Sequence, residues 1–205
     1  MDVEGEGAGG GEPISISLRP LQLTDVDDVL QWTTDPQASE FCLWDTHTCR
    51  EDAVAFIRDF AIPHPWCRAI CANGRPIGSI SVSIAAGGAE RCRGEIGYVL
   101  SPGYWGKGIT TSVVRSVAPA AFRELPGLER IQGLVASENI ASQRVLEKCG
   151  FQKEGLLRKY MFLKGRVRDI VVFSILREDV LAGELNTDRG IVQTRFIVGD
   201  VPCFK

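Results

Sequence analysis

The chain is 205 residues long, 44% hydrophobic and 24% charged, with a formal net charge of −3. That length suits one domain rather than two, and the apolar share supports a genuine core. The weakly acidic balance excludes a general nucleic-acid binder, and no apolar run approaches the ~18 residues a membrane helix needs.

Residues 1–12 are acidic and glycine-rich and read as a disordered leader, without secretory or transit character. The seven cysteines are odd in number and sit mostly in apolar patterns. Reduced thiols, no metal site and a cytoplasmic location, with the nucleus left open, are the expectation. Residues 14–20 alternate and predict a first strand. Thr24 is the expected cap of a helix over Asp25–Thr33. Thr48 to Glu51 reads as a capping box opening a second helix with Ala53, Val54, Phe56, Ile57 and Phe60 on its apolar face, stopped by Pro63. Strands at 66–72 and 76–84 flank Asn73-Gly74, a hairpin signal. Gly87-Gly88 makes the next turn and Gly94–Leu100 a further strand.

A helix runs from Gly108 to about Arg123, with Pro119 expected to kink or split it. Ile131–Val135 is a short strand. Asn139–Cys149 is a helix with Gly150 as its left-handed cap and Phe151 beyond. Leu156–Leu163 and Val167–Leu176 form a last hairpin turning at Lys164-Gly165, and residues 182–205 are a tail without periodicity. The order is mixed α/β of the α+β type, with one sheet. The domain spans residues 13–181.

Two segments carry chemistry. Between the strand ending at Leu100 and the following helix lies YWGKGITT, Tyr104–Thr111. Glycines here expose backbone N–H groups at a helix start, which is an anion seat suited to a diphosphate. The turn lacks the Gly-Lys-Ser/Thr ending of a nucleotide P-loop and the three-glycine dinucleotide pattern, and a connection that binds nothing is the bland alternative. The second segment is SENIASQRVLEKCGF, Ser137–Phe151, where Asn139 and Ser142 share a helix face. On local grounds Asn139 is a cap and Ser142 a solvated residue.

Together, EIGYVLSPGYWGKGITT, ASENIASQRVLEKCGF and KGRVRDIVVFSILR resemble the Gcn5-related N-acetyltransferase (GNAT) superfamily, in its RimJ/RimL branch of ribosomal-protein N-terminal acetyltransferases. The resemblance covers about Ile16 to Arg177. It implies a mostly antiparallel sheet of six to seven strands, splayed between strands four and five and flanked by about four helices, with acetyl-CoA in the cleft. It places Tyr98, Val99 and Leu100 along the pantetheine arm, the amides of Gly106, Lys107, Gly108, Ile109, Thr110 and Thr111 on the pyrophosphate, and Asn139 on the cofactor. Trp105 stands where the family pattern has Gln or Arg, and Thr110 where it has Gly or Ala.

Acetyl transfer needs a neutral amine, a stabilised thioester oxygen and a protonated leaving sulfur. Glu95 is the candidate base, an N–H near Leu100 the candidate oxyanion donor, and Ser142 the candidate proton donor, with Tyr160 second. Each has a structural alternative: a surface carboxylate, a sulfur-positioning hydroxyl, a packing tyrosine. His47 and His64 read as solvated or capping groups. Trp32, Phe41, Trp44 and Trp66 either line a pocket or fill the core. The basic run Arg158, Lys159, Lys164, Arg166 and Arg168 is a solvated face or meets an anion. The implied partners are acetyl-CoA and an amine acceptor, a peptide, protein or small molecule, and the competing reading is a non-catalytic CoA-binding sensor or scaffold.

Overall fold

The computed structural model describes residues 14–84 and 87–180; the expected leader and tail lie outside the described residues. Seven strands form one sheet in the order β1-β2-β3-β4-β5-β7-β6: β1 (Ile16–Arg19), β2 (Cys67–Ala72), β3 (Arg75–Ile84), β4 (Arg93–Leu100), β5 (Arg130–Ala136), β6 (Gln152–Leu163) and β7 (Arg166–Leu176). Every neighbouring pair is antiparallel except β4 and β5. The hairpins turn where the dipeptides demand. Asn73 and Gly74 have φ of 50° and 84°, and Lys164 and Gly165 49° and 73°, the double positive φ of a type I′ turn that matches strand twist.

Helices α4 (Ile109–Glu124) and α5 (Ile140–Lys148) cover one face, packing Val113, Val114, Val117 and Leu146 on Ile80, Ile96, Ile131 and Phe173. Helices α1 (Val26–Thr33) and α3 (Arg50–Ala55), with Ile57 just beyond α3, cover the other, burying Val29, Trp32, Ala53 and Ile57 against Ala69, Cys71 and Val99. A one-turn α2 (Pro36–Ser39) lies between α1 and α3.

Three expectations are corrected. Thr24 is not the cap of α1: a 3-10 turn over Leu23–Asp25 precedes it, and the Asp25 carboxylate takes the Gln22 N–H at 2.9 Å while Arg19 holds it from β1. The box at α3 is shifted by one residue. Asp52, not Glu51, reaches back to the amides of Thr48 and Cys49, because Cys49 is the cap residue. Pro119 does not split α4. One lost hydrogen bond and a ring clash cost about 3 kcal/mol, whereas Val113, Val114, Val117 and Phe122 are buried at about 1.5–3 kcal/mol each, so packing wins.

The helix after β5 ends as its sequence indicates. Gly150 (φ 86°) donates to Glu147 O and Phe151 to Leu146 O, both at 3.1 Å, the paired bonds of a Schellman motif. After α3 the chain does not continue as an α-helix but widens into a π-helical turn over Phe56–Ala61.

Candidate active site

The site begins where the sheet parts. β4 pairs with β3 along its length but with β5 at only three positions, Arg93, Gly94 and Glu95. Beyond Glu95 the two strands diverge and a cavity of about 1250 Å³ opens between them, lined from both faces of the sheet.

Register fixes which backbone groups face the gap. Ser101 N–H donates to Ile77 O at 2.8 Å, and the β3–β4 pairing runs on without a shift. Alternation then turns Val99 toward β3 and the N–H and C=O of Tyr98 and Leu100 toward the vacated β5 side. Val99, whose N–H and C=O face β3, still lines the cavity beside Tyr98 and Leu100. The Leu100 carbonyl is taken by the Trp105 indole N–H at 2.7 Å, so Trp105 pins the strand end to the next turn.

That turn holds Gly106 and Gly108 at φ 74°, with Gly108 as the left-handed N-cap of α4. A side chain finds open space at either position but meets a backbone angle that L-residues adopt only at a cost of ~1–2 kcal/mol. Among the described residues, none of the six amides from Gly106 to Thr111 donates to a backbone carbonyl. They form a run of free donors at the positive end of a 16-residue helix. Trp105, Gly106 and Thr110 line the cavity; Lys107 and Gly108 of the turn and Ile109 and Thr111 of α4 do not. Lys107 folds away, with Nζ 3.0 Å from Gly103 O and over the Tyr104 ring.

Across the gap stands the start of α5. The close approach depends on Gly133 of β5, where an added Cβ would lie 2.6 Å from Leu146 Cδ1. Asn139 is the cap, its Oδ1 accepting the Ser142 N–H at 3.1 Å, so the local reading holds while both side chains still line the cavity. The cap uses only the oxygen of the Asn139 amide, leaving its NH2 free of protein partners among the described residues. Tyr98 crosses the gap, its hydroxyl 3.4 Å from Ser142 O, and burial pushes its pKa up to about 12.

A family model for the acetyltransferase (GNAT) domain matches residues 15–152. The chain belongs to the GNAT acetyltransferase family. An uncharacterized N-acetyltransferase p20 of Bacillus licheniformis is 32% identical over 80% of this chain and 94% of its own length. The GNAT fold recurs in an acetyltransferase from Bacillus anthracis (TM-score 0.70, 24% identity, 78% of this chain and 94% of that one). It recurs again in the RimL ribosomal L7/L12 α-N-protein acetyltransferase bound to coenzyme A (TM-score 0.71, 19% identity, 80% and 96%). The chain is an acyltransferase with the mixed sheet of that fold, in which β4 and β5 run parallel.

The GNAT cavity continues past Glu95 onto the face covered by α1 and α3. Glu95 pairs with Ser83 across β3 and lines the cavity together with Ser79, Ser81 and Ser83. Phe41 and Trp44 line it as well, whereas Trp32 and Trp66 are core, at 1% and 3% exposure. Tyr160 does not line it; it is exposed on β6, beside a bulge in which Asp169 holds the Lys159 N–H. His47 lines the cavity, and His64 sits beside it with Nε2 2.9 Å from Ser83 Oγ. The basic run is dispersed: Lys164 bonds Trp44 O, and Arg168 is buried under the Phe41 ring. Phe56, Phe60 and the serines were missed as site residues, although Ser79, Ser81 and Ser83 at period two on one strand were a visible signal.

Proposed function

We propose that this chain moves the acetyl group of acetyl-CoA to a primary amine by direct attack on the thioester, in the manner of the RimJ/RimL branch. The observation that carries the reading is the row of unpaired amides from Gly106 to Thr111 at the rim of the parted sheet. Such donors suit a diphosphate, since each charge-assisted hydrogen bond is worth about 1.5–3 kcal/mol. The N–H and C=O of Tyr98, freed from β5, suit the amide-bearing arm that follows it, by strand-like pairing. Asn139 lines the same cavity from the opposite lip, with its amide NH2 unused by the cap.

Acetyl-CoA supplies the activated acyl carbon and a thiolate leaving group. Glu95, on the acceptor side, takes the proton that the amine nitrogen must lose, directly or through water. The Leu100 N–H points into the gap where negative charge develops on the acyl oxygen. The Ser142 hydroxyl, on the far lip, gives a proton to the departing sulfur. Tyr98 holds the first turn of α5 through its bond to Ser142 O, which makes it a positioning residue.

Incubation of the full chain with acetyl-CoA and a library of peptides and small amines tests this. Gain of one acetyl group by mass spectrometry, with release of free thiol, supports the reading. Binding of acetyl-CoA without thiol release for any amine assigns a CoA-binding module instead.

A further inference from the structure

We propose that the acceptor is a compact amine carrying a second, positively charged nitrogen; the inference rests on acetyl transfer as the reaction and names what the acceptor half of the cavity selects. Its floor is the face of β3 and β4 that presents Ser79, Ser81, Ser83, Gly97 and Glu95. Apart from Glu95 these residues are small, and a Cβ at Gly97 would meet only Ser81 Oγ, at 3.7 Å. The floor is therefore a shallow slot running up to Glu95.

An arc of rings stands over it. In the π-helical turn the Ile62 N–H reaches Ile57 O at 2.9 Å. Positions four apart on a helical turn are neighbours on one face. Phe56 and Phe60 stack accordingly, with centroids 5.5 Å apart and planes 25° apart, and Phe60 meets His64 at 5.1 Å. On the other side His47 links Phe56 to Trp44, at 6.2 and 5.2 Å. Ring faces are electronegative and attract cations by about 0.5–2 kcal/mol each.

Charge points the same way. Glu40, Asp45, Asp52 and Glu95 line the cavity, and among the described residues no Lys or Arg does. Hydrogen bonds from Thr48 and Cys49 keep the Asp52 carboxyl below its ordinary pKa, hence ionised. Burial lowers His47 and His64, which keeps the ring arc neutral at physiological pH. The adjacent cations face other partners: Lys164 bonds Trp44 O and Asp45, and Arg168 lies over the Phe41 ring and 3.5 Å from Glu138, with its Nε buried and unpaired. The Lys164 contact also ties the β6–β7 hairpin tip to the loop bearing Trp44, which favours a compact acceptor over a protein tail.

The attacking nitrogen must be neutral, so it cannot be the group that this field recognises. A second nitrogen that stays protonated can. Steady-state acetylation by the full chain is measured with a straight-chain diamine, the monoamine and the amino acid of the same length, and an alanyl peptide. The diamine is expected to exceed the monoamine in kcat/KM by about tenfold or more, with the amino acid lowest. F60L keeps bulk and loses the ring face; it is expected to raise the diamine KM about fivefold and narrow the gap to the monoamine, with acetyl-CoA affinity by calorimetry reporting that the variant is folded. Equal kcat/KM for diamine and monoamine, or preference for the alanyl peptide, overturns the inference and leaves acetyl transfer standing. Failure of every amine in protein that binds acetyl-CoA overturns both.

Discussion

Glu95 and Ser142 stand on opposite lips of one opening, and each carries a separable prediction. Glu95→Gln removes the proton acceptor while keeping size and hydrogen bonding. It is expected to lower kcat by about a hundredfold or more with acetyl-CoA affinity unchanged. An unchanged kcat removes Glu95 from the mechanism. Ser142→Ala is expected to lower kcat more than it weakens acetyl-CoA binding; a loss confined to affinity reduces Ser142 to a binding contact. Neither role is decidable from sequence alone, because a carboxylate on a strand and a serine in a first turn are ordinary surface residues. What changes their standing is a register that faces one toward the serine floor and a cap bond that fixes the other beside Asn139.

At the scale of elements, the strands and turns were legible and the helix starts less so. Asn73-Gly74, Lys164-Gly165 and Gly150-Phe151 act through local backbone geometry, which a sequence states directly. The caps at Asp25 and Asp52 depend on which side chain reaches which amide once Arg19 and the Thr48 backbone are in place. The π turn has no local signature, since Phe56, Ile57 and Phe60 also read as one face of an α-helix. Close approach gives a sharper test of the β3–β4 pairing. A Cβ at Gly78 would lie 2.2 Å from Val99 O, a backbone atom, while one at Gly133 meets side-chain ends, Leu146 Cδ1 at 2.6 Å and Ile96 Cγ2 at 3.7 Å. Gly78→Ala is expected to destabilise the fold by more than about 2 kcal/mol, and Gly133→Ala by less. Urea denaturation of the two variants decides, and equal losses contradict the pairing described.

Across the outer sheet, Arg130 of β5 and Ser174 of β7 both bond the Glu154 carboxylate of β6, and these hydrogen bonds hold its pKa down at about 2. The folded value lies below the unfolded one, so this stabilisation is present above about pH 4.5 and is lost as pH falls toward about 2. Solvent exposure of the carboxylate keeps it modest. The stability difference between the native chain and Glu154→Gln, from denaturation at a series of pH values, is expected to shrink over that window. A constant difference contradicts the assignment.

Over the whole molecule, two cores on the two sheet faces hold a sheet that is continuous at β1–β4 and β5–β7 and open between them. The half of the cavity proposed for acetyl-CoA was readable because glycines and a helix start declare free amides. The acceptor half was not, because it is assembled from the loop at Phe41–His47, the π turn and the serine floor, which meet only after folding. No described helix is long and apolar enough to cross a membrane. The central claim is that the amides of Gly106–Thr111 hold the diphosphate of coenzyme A. Calorimetric titration of the purified chain with coenzyme A and with pantetheine, which lacks the diphosphate, tests it most directly. Saturable binding of coenzyme A, at least about a hundredfold tighter than pantetheine, is the expected result; equal affinities, or no binding of coenzyme A at millimolar concentration, contradict it.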